Sequence, residues 1–229
     1  APRGAEANLM SRMSAYQGRK VALLTQHGKE KVITPVLSPD LNCIVEHVTG
    51  FDTDQLGTFT REITRTGTQL GAARCKARKG MELSGLSVGM TSEGSFGPDP
   101  FSGLFPWNVE LLVWIDDSLG IEVVGMAQGV ARSGHLQTGD WSAVETFAVK
   151  EIFPQHQLVL RPNDQEDLRI YKGIADWARL NSCFLDCIAE SSNQQVFVEI
   201  DMRAFANPSR MQNIEKAARD LLQRLQSCC

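Results

Sequence analysis

"NVELLVWIDDSLGIEVVGMAQGVAR", residues 108–132, decides between a purely parallel sheet and a mixed one. Residues 108–117 and 121–132 are apolar-rich runs of strand composition, separated by Ser-Leu-Gly, and together they make a long hairpin. A hairpin puts antiparallel neighbours into whatever sheet it joins. The run "KVALLTQ" (20–26) pulls the other way: it is continuously apolar and ends in polar residues, as a central parallel strand does. "NCIVEHV" (42–48) reads as a second strand, and "LSVGMT" (86–91), with Leu86, Val88 and Met90 alternating with small or polar residues, as a third.

Between these runs the apolar period changes to 3.6. A helix interrupted at Pro35 is expected within 28–37, and a strongly basic one carrying Arg74, Lys76, Arg78 and Lys79 over 68–83. Further helices are expected at 141–153, 172–190 and 207–225, the last opening with Asn207 as N-cap and Pro208 in the first turn. Strands are expected at 157–162 and 195–202. The fold class that follows is α/β: a three-layer sandwich around a mixed, mostly parallel central sheet containing one long hairpin. Residues 1–17 read as a flexible arm, 18–227 as one α/β domain with a secondary lobe at about 141–192, and 228–229 as a short tail.

Composition narrows the function classes. The chain has 229 residues, 42% of them apolar, enough for a sizeable core. Its formal net charge of −4 argues against a general nucleic-acid binder, or a surface that attracts anionic lipid, because both need an excess of Lys and Arg. No apolar run reaches the roughly 20 residues needed to cross a bilayer, so no membrane partner and a cytoplasmic location are expected. The six cysteines form no disulfide framework. The histidines at 27, 47, 135 and 156 have no metal-ligand spacing, and no GxSxG, GxxxxGK[ST] or GxGxxG motif is present.

Chemistry is expected at the carboxyl ends of the strands, where loops and helix N-termini converge in α/β sheets. "TSEGSFGPDP" (91–100) reads as an exposed loop after the third strand, with Glu93 isolated between small residues. Four polar clusters fall at strand ends: Thr25, His27, Lys29 and Lys31; Asp52 and Asp54; Ser92, Glu93 and Ser95; and Asp201, Arg203, Asn207 and Arg210. Carboxylates beside lysines and arginines suit a phosphate ester held through a divalent metal. Each cluster also has a plain structural account, as a solvated helix start, an Asx-turn or a helix cap.

In order along the chain, "HGKEKVI", "GFDTDQLGTFTREI", "AARCKA", "SEGSFGP" and "DMRAFANPSRM" resemble a bacterial family known only as a domain of unknown function, whose members often end in a zinc ribbon. That resemblance makes Cys228 and Cys229 look like the stump of such a ribbon. More distantly, "TQHGKEK", "GTQLGAARCKA" and "SEGS" are similar to house-cleaning nucleoside triphosphate pyrophosphatases of the inosine triphosphatase kind. The likeness implies an inosine triphosphatase-like fold and a Mg²⁺-dependent phosphoanhydride hydrolase. It implies Thr25, His27 and Lys29 or Lys31 in a phosphate loop, Ala73, Lys76 and Ala77 in the helix motif, Lys76 and Glu93 as catalytic groups and Glu93 as a metal ligand, with Asp52 and Asp54 standing in for the ligand the helix lacks; Arg74 is a further candidate for substrate contact. Ser92, Ser95, Arg203, Asn207 and Arg210 would contact substrate. The chain departs from that pattern at His27, which replaces an asparagine, and at Gly71-Ala72, which replace Glu-Asn and remove a metal ligand. Two functions therefore stand: a hydrolase of a nucleotide or other phosphorylated small molecule, and a non-catalytic nucleotide-binding or protein-interaction module. A homodimer is left open.

Overall fold

The computed structural model describes residues 14–51 and 68–227. The chain divides into two compact units, Ala1–Val130 with Met211–Cys229, and Ala131–Arg210. The first unit is built on a five-stranded mixed sheet in the order β2-β1-β3-β4-β5. The strands are β1 (Lys20–Leu24), β2 (Ile44–Val48), β3 (Val88–Pro98), β4 (Pro106–Asp116) and β5 (Ile121–Val130). β1 lies parallel to β2 and to β3, whereas β3–β4 and β4–β5 are antiparallel. The hairpin expected at 108–132 is thus present, and its register runs from Asp116↔Ile121 to Trp107↔Val130.

Two helices frame the connections among β1, β2 and β3. Helix α1 (Glu30–Leu41) continues through Pro35 and Pro39, contrary to the expected interruption. Ile33, Val36, Leu37 and Leu41 form one buried stripe along it, and that packing outweighs the backbone hydrogen bonds the prolines cannot make. Helix α2 (Gln69–Ser84) starts at Thr68, whose side chain accepts from Gly71 N–H at 3.0 Å, and ends at Gly85 with φ 69°. Its Ala73, Ala77 and Met81 pack on Val113 and Ile115. At Gly89 a Cβ would lie 2.3 Å from Met81 Cγ, so the strand needs glycine to let this helix approach.

The opposite face carries Leu23, Met90, Leu112 and Trp114, all fully buried. Helix α5 (Pro208–Ser227) crosses the same unit with its Met211–Ser227 portion, and a Cβ on Gly125 would sit 2.5 Å from both Ala217 O and Leu221 Cβ.

In the second unit four strands make a wholly antiparallel sheet ordered β6-β9-β7-β8. They are β6 (His135–Thr138), β7 (Leu158–Pro162), β8 (Tyr171–Ile174) and β9 (Val196–Ile200). Helices α3 (Trp141–Lys150) and α4 (Trp177–Glu190) start at Asp140 and Asp176, each of which caps its helix through a carboxylate. Val144, Leu158, Leu160, Leu180, Phe184 and Val198 form the core. The strands at 157–162 and 195–202 therefore belong to a separate sheet. The protein is mixed α/β with two sheets, rather than one mostly parallel sheet.

Among the described residues, no helix is long and apolar enough to cross a membrane.

Candidate anion site at the carboxyl edge of β1 and β3

β1 stops at Leu24 while β3 continues, so the carboxyl end of β3 loses its neighbour on one side. The backbone groups left there must find other partners. Thr91 Oγ1 donates to Leu24 O at 2.7 Å. One residue on, Lys29 Nζ donates to Ser92 O at 3.1 Å, and Lys29 is itself buried. Lys29 reaches that position because the chain reverses sharply after β1: His27 and Gly28 are both left-handed, at φ 64° and 73°. Lys29 is also the N-cap residue of α1 and offers the helix no side-chain cap. Thr25 is buried, and its Oγ1 donates to Gln26 O at 3.4 Å.

The stretch 91–98 is strand, not the exposed loop its composition suggests. β4 pairs with it continuously from Thr91↔Val113 to Pro98↔Pro106, so Glu93, opposite Leu111, is only 2% exposed. A carboxylate removed from water needs a cation or several donors. Lys76, at 9% exposure on the buried face of α2, supplies the cation and ion-pairs with Glu93 Oε1. Gln69, in the first turn of α2, ties the helix to both strands. Its Nε2 donates to Glu93 O at 2.9 Å and to Val109 O at 2.8 Å, and its Oε1 accepts from Ser95 Oγ at 2.9 Å.

A second set of polar groups is buried on the other face of the sheet. Asn108 Nδ2 donates to Glu110 Oε1 at 3.1 Å and to Ser95 O at 3.2 Å, and Asn108 Oδ1 accepts from Asn213 Nδ2 at 2.9 Å. Glu110 is fully buried. Ser92 is 2% exposed, and its Oγ has no hydrogen-bond partner among the described residues. Two lysines and two carboxylates are thus taken out of water within one end of one sheet. Lys29 and Lys76 meet β3 at the consecutive residues Ser92 and Glu93.

Not every expected residue joins this cluster. Lys31 is exposed and lines an open groove of about 310 Å³ with Pro35, Asp40, Glu215 and Arg219. Arg74 is exposed and makes a bidentate pair with Glu122 at 2.7–2.9 Å. Arg203, Asn207 and Arg210 belong to the second unit, where each has a local task. Arg203 grips Asp201 at 2.5–3.1 Å, Asn207 Oδ1 caps α5 through Arg210 N–H at 3.0 Å, and Arg210 Nη1 donates to Met202 O at 2.7 Å. Asp52 and Asp54 lie outside the described residues, as do Cys228 and Cys229. Among the described residues no group of three His, Cys, Asp or Glu side chains could hold a metal ion.

Gln69, Asn108, Glu110 and Asn213 escaped the sequence reading. Glu110 carried a readable signal: it shares parity with Leu112 and Trp114 in β4, a strand whose apolar run from Leu111 to Ile115 is buried on both faces. Gln69 carried none, because its role exists only once α2 lies across β3 and β4.

No curated protein and no solved structure matches the chain. A family model does, over residues 75–229, a span that includes Lys76, Glu93, Glu110 and Asn213 and excludes β1. By that match the chain belongs to DUF6671, a domain of unknown function.

Proposed function

We propose that the carboxyl edge of β1 and β3 binds a phosphorylated small molecule of the nucleotide kind, and that the first unit hydrolyses its phosphoanhydride bond. One observation carries the reading: Lys29 and Lys76 are both buried at successive residues of β3, and Lys76 is held there by Glu93. Burying two ammonium groups is costly, and a tightly packed apolar pair would usually serve stability as well. A site that must receive a polyanion gives a reason to retain them. The left-handed turn at His27-Gly28 and the start of α1, which has no side-chain cap, follow directly after β1. The distant likeness to inosine triphosphatase-type pyrophosphatases points to the same chemistry.

In this reading the Lys76–Glu93 pair is exchanged on binding. Phosphate oxygens take Lys76, and Glu93 is left to orient a water or hold a metal. Magnesium fits only in part: among the described residues no three His, Cys, Asp or Glu side chains gather to hold an ion, so beside Glu93 the ligand's own phosphates would complete the shell, with Asp52 and Asp54 as the further candidates. Bound there, it would supply Lewis-acid charge to the phosphoryl group.

The test is a panel of nucleoside triphosphates, monophosphates and inorganic pyrophosphate, with and without Mg²⁺, read by thermal shift and by phosphate or pyrophosphate release. The reading expects a raised Tm that Lys29→Met and Lys76→Met abolish, and turnover that Glu93→Gln abolishes. A shift without turnover would favour the binding module instead, consistent with Glu93 already being engaged by Lys76. No shift with any member of the panel removes both.

A further inference from the structure

We infer that the buried polar cluster which Asn213 of α5 joins on the first sheet recognises the hydroxyls of a phosphorylated sugar, free or as part of a ribonucleotide. The inference rests on the phosphate reading above and names the part of the ligand that the two lysines leave unassigned. It starts from Ser92, which is 2% exposed and whose Oγ has no hydrogen-bond partner among the described residues. A hydroxyl taken out of water and left unbonded is a net loss to the fold, so keeping one calls for a reason outside the fold.

Register places Ser92 opposite Leu112, and Leu112 shares parity with Asn108 and Glu110, so the three polar side chains rise from one face at the end of the sheet. Gly94, opposite Glu110, contributes no side chain to that face. Asn213 joins from α5, its Nδ2 donating to Asn108 Oδ1 at 2.9 Å. Burial is graded across the cluster. Ser92, Asn108 and Glu110 are buried, whereas Asn213, Met211, His27 and Gly28 are partly exposed, and a Cβ on Gly28 would lie 3.8 Å from Met211 Cε. The cluster therefore lies behind the place where the β1–α1 turn meets α5. Lys29, next in sequence to Gly28, donates to Ser92 O at 3.1 Å. One residue of β3 thus gives its carbonyl to a lysine of the phosphate site and carries its hydroxyl on the face of the cluster.

Hydrogen-bonding capacity selects the ligand group. A carboxylate such as Glu110 accepts and does not donate, and the same holds for phosphate oxygens, so the part of the ligand that meets Glu110 is not phosphate and has to donate. Asn108 uses both N–H groups, on Glu110 Oε1 at 3.1 Å and Ser95 O at 3.2 Å, and its Oδ1 takes Asn213, so it orients the carboxylate and keeps little for a ligand. Ser92 Oγ can donate as well as accept. A ligand atom that donates to the carboxylate and accepts from the serine is a hydroxyl oxygen; the amino group of a base donates only. The carbonyl and the hydroxyl of Ser92 belong to one residue, so the phosphate and the hydroxyl they serve lie close together, as they do in a sugar and its phosphate ester.

The experiment is titration calorimetry of the full chain with Mg²⁺ against ATP, 2′-deoxyATP, 3′-deoxyATP, ribose 5-phosphate and inorganic tripolyphosphate, on wild type and Ser92→Ala, with circular dichroism to confirm folding. The expected result is that ATP binds wild type about tenfold or more tightly than tripolyphosphate and than at least one deoxy analogue. Ser92→Ala should lose most of that preference and keep its affinity for tripolyphosphate. Ribose 5-phosphate separates the two sources: binding as tight as that of ATP supports a free sugar phosphate, and weaker binding supports a ribonucleotide. The inference is overturned if both deoxy analogues match ATP on wild type, a comparison that decides alone should Ser92→Ala not fold, or if folded Ser92→Ala keeps the whole preference. Tripolyphosphate binding wild type as tightly as ATP would remove this inference and leave the phosphate site standing, whereas no binding by any of the five would remove both.

Discussion

Replacing Lys76 by Met removes the cation from a buried pair and leaves Glu93, 2% exposed, facing the apolar side of α2. Losing one partner of a buried ion pair costs about 3–5 kcal/mol, since the remaining charge keeps its desolvation penalty and loses its counter-ion. The Lys76 side chain is still 11% accessible, and a water reaching it places the expected loss at the low end, about 3 kcal/mol. For a chain of this length each kcal/mol moves Tm by roughly 2–4 °C, so Lys76→Met should melt about 6–12 °C lower. Glu93→Met alone should cost a similar amount by stranding the ammonium. The double variant K76M/E93M removes both charges and fills both volumes, and should return to within about 1 kcal/mol of wild type. The assay is a double-mutant cycle by thermal and urea unfolding, with the phosphate-induced Tm shift measured on each folded variant. The double variant should be stable and unresponsive to phosphate. If the single variants each cost under about 0.5 kcal/mol and add, the pair behaves as a screened surface contact and the buried-pair reasoning is refuted.

Gly125→Ala should destabilise the first unit by about 1–3 kcal/mol, because the new methyl meets Ala217 O and the Leu221 backbone at 2.5 Å and neither can move aside; a loss below that range in urea unfolding would contradict the close packing of α5 on β5. The Asp99 carboxyl is held well below the usual aspartate range by the N–H groups it accepts from, so its contribution is present above pH 4 and lost only below it. Amide exchange at Phe101, Ser102, Leu104 and Phe105 should accordingly stay protected as the pH falls through 4, and become fast in Asp99→Asn. His156 is buried against Ser209, with Nε2 2.9 Å from its Oγ, and its pKa is lowered first by burial and then by Arg132, against Glu151. The unfolded chain therefore takes up the proton first, and stability of the second unit should fall as the pH drops below about 6.5; His156→Gln should flatten that slope. Thiol labelling of native protein should modify exposed Cys75 and spare Cys43, Cys183 and Cys187 until unfolding, since burial raises all three thiols and pushes Cys187 up to about 12.

The hairpin at 108–132 was legible because both runs keep a strand's apolar content right up to a short polar turn, a purely local signal. The course of 94–98 was not. Gly94, Ser95, Gly97 and Pro98 have loop composition, and they become strand through the partners β4 supplies between Pro106 and Glu110. The assignment of strands to sheets failed for a related reason. Apolar runs do not say which sheet they join: "QLVLRP" and "QVFVEIDM" are as apolar as "KVALLTQ", yet their neighbours are each other. Periodicity reports which side of a strand is buried and nothing about what lies beside it.

That limit also explains what happened to the candidate site. Glu93 could be singled out as a carboxylate with little structural reason to follow a buried strand, and Lys29 and Lys76 as cations in suitable segments. Their convergence depends on three tertiary facts: β1 ending before β3, the left-handed pair at His27-Gly28, and α2 crossing β3 so that Lys76 rather than Arg74 faces inward. The basic run on α2 shows the distinction within a single helix. Arg74 and Arg78 reach Glu122 and Asp117 at the surface, and Lys76 between them lies on the opposite side of the helix, towards the sheet. A charge-rich helix read only from sequence looks uniformly solvated, and one inward lysine among outward arginines separates an ordinary amphipathic helix from one that carries a cation into a candidate site.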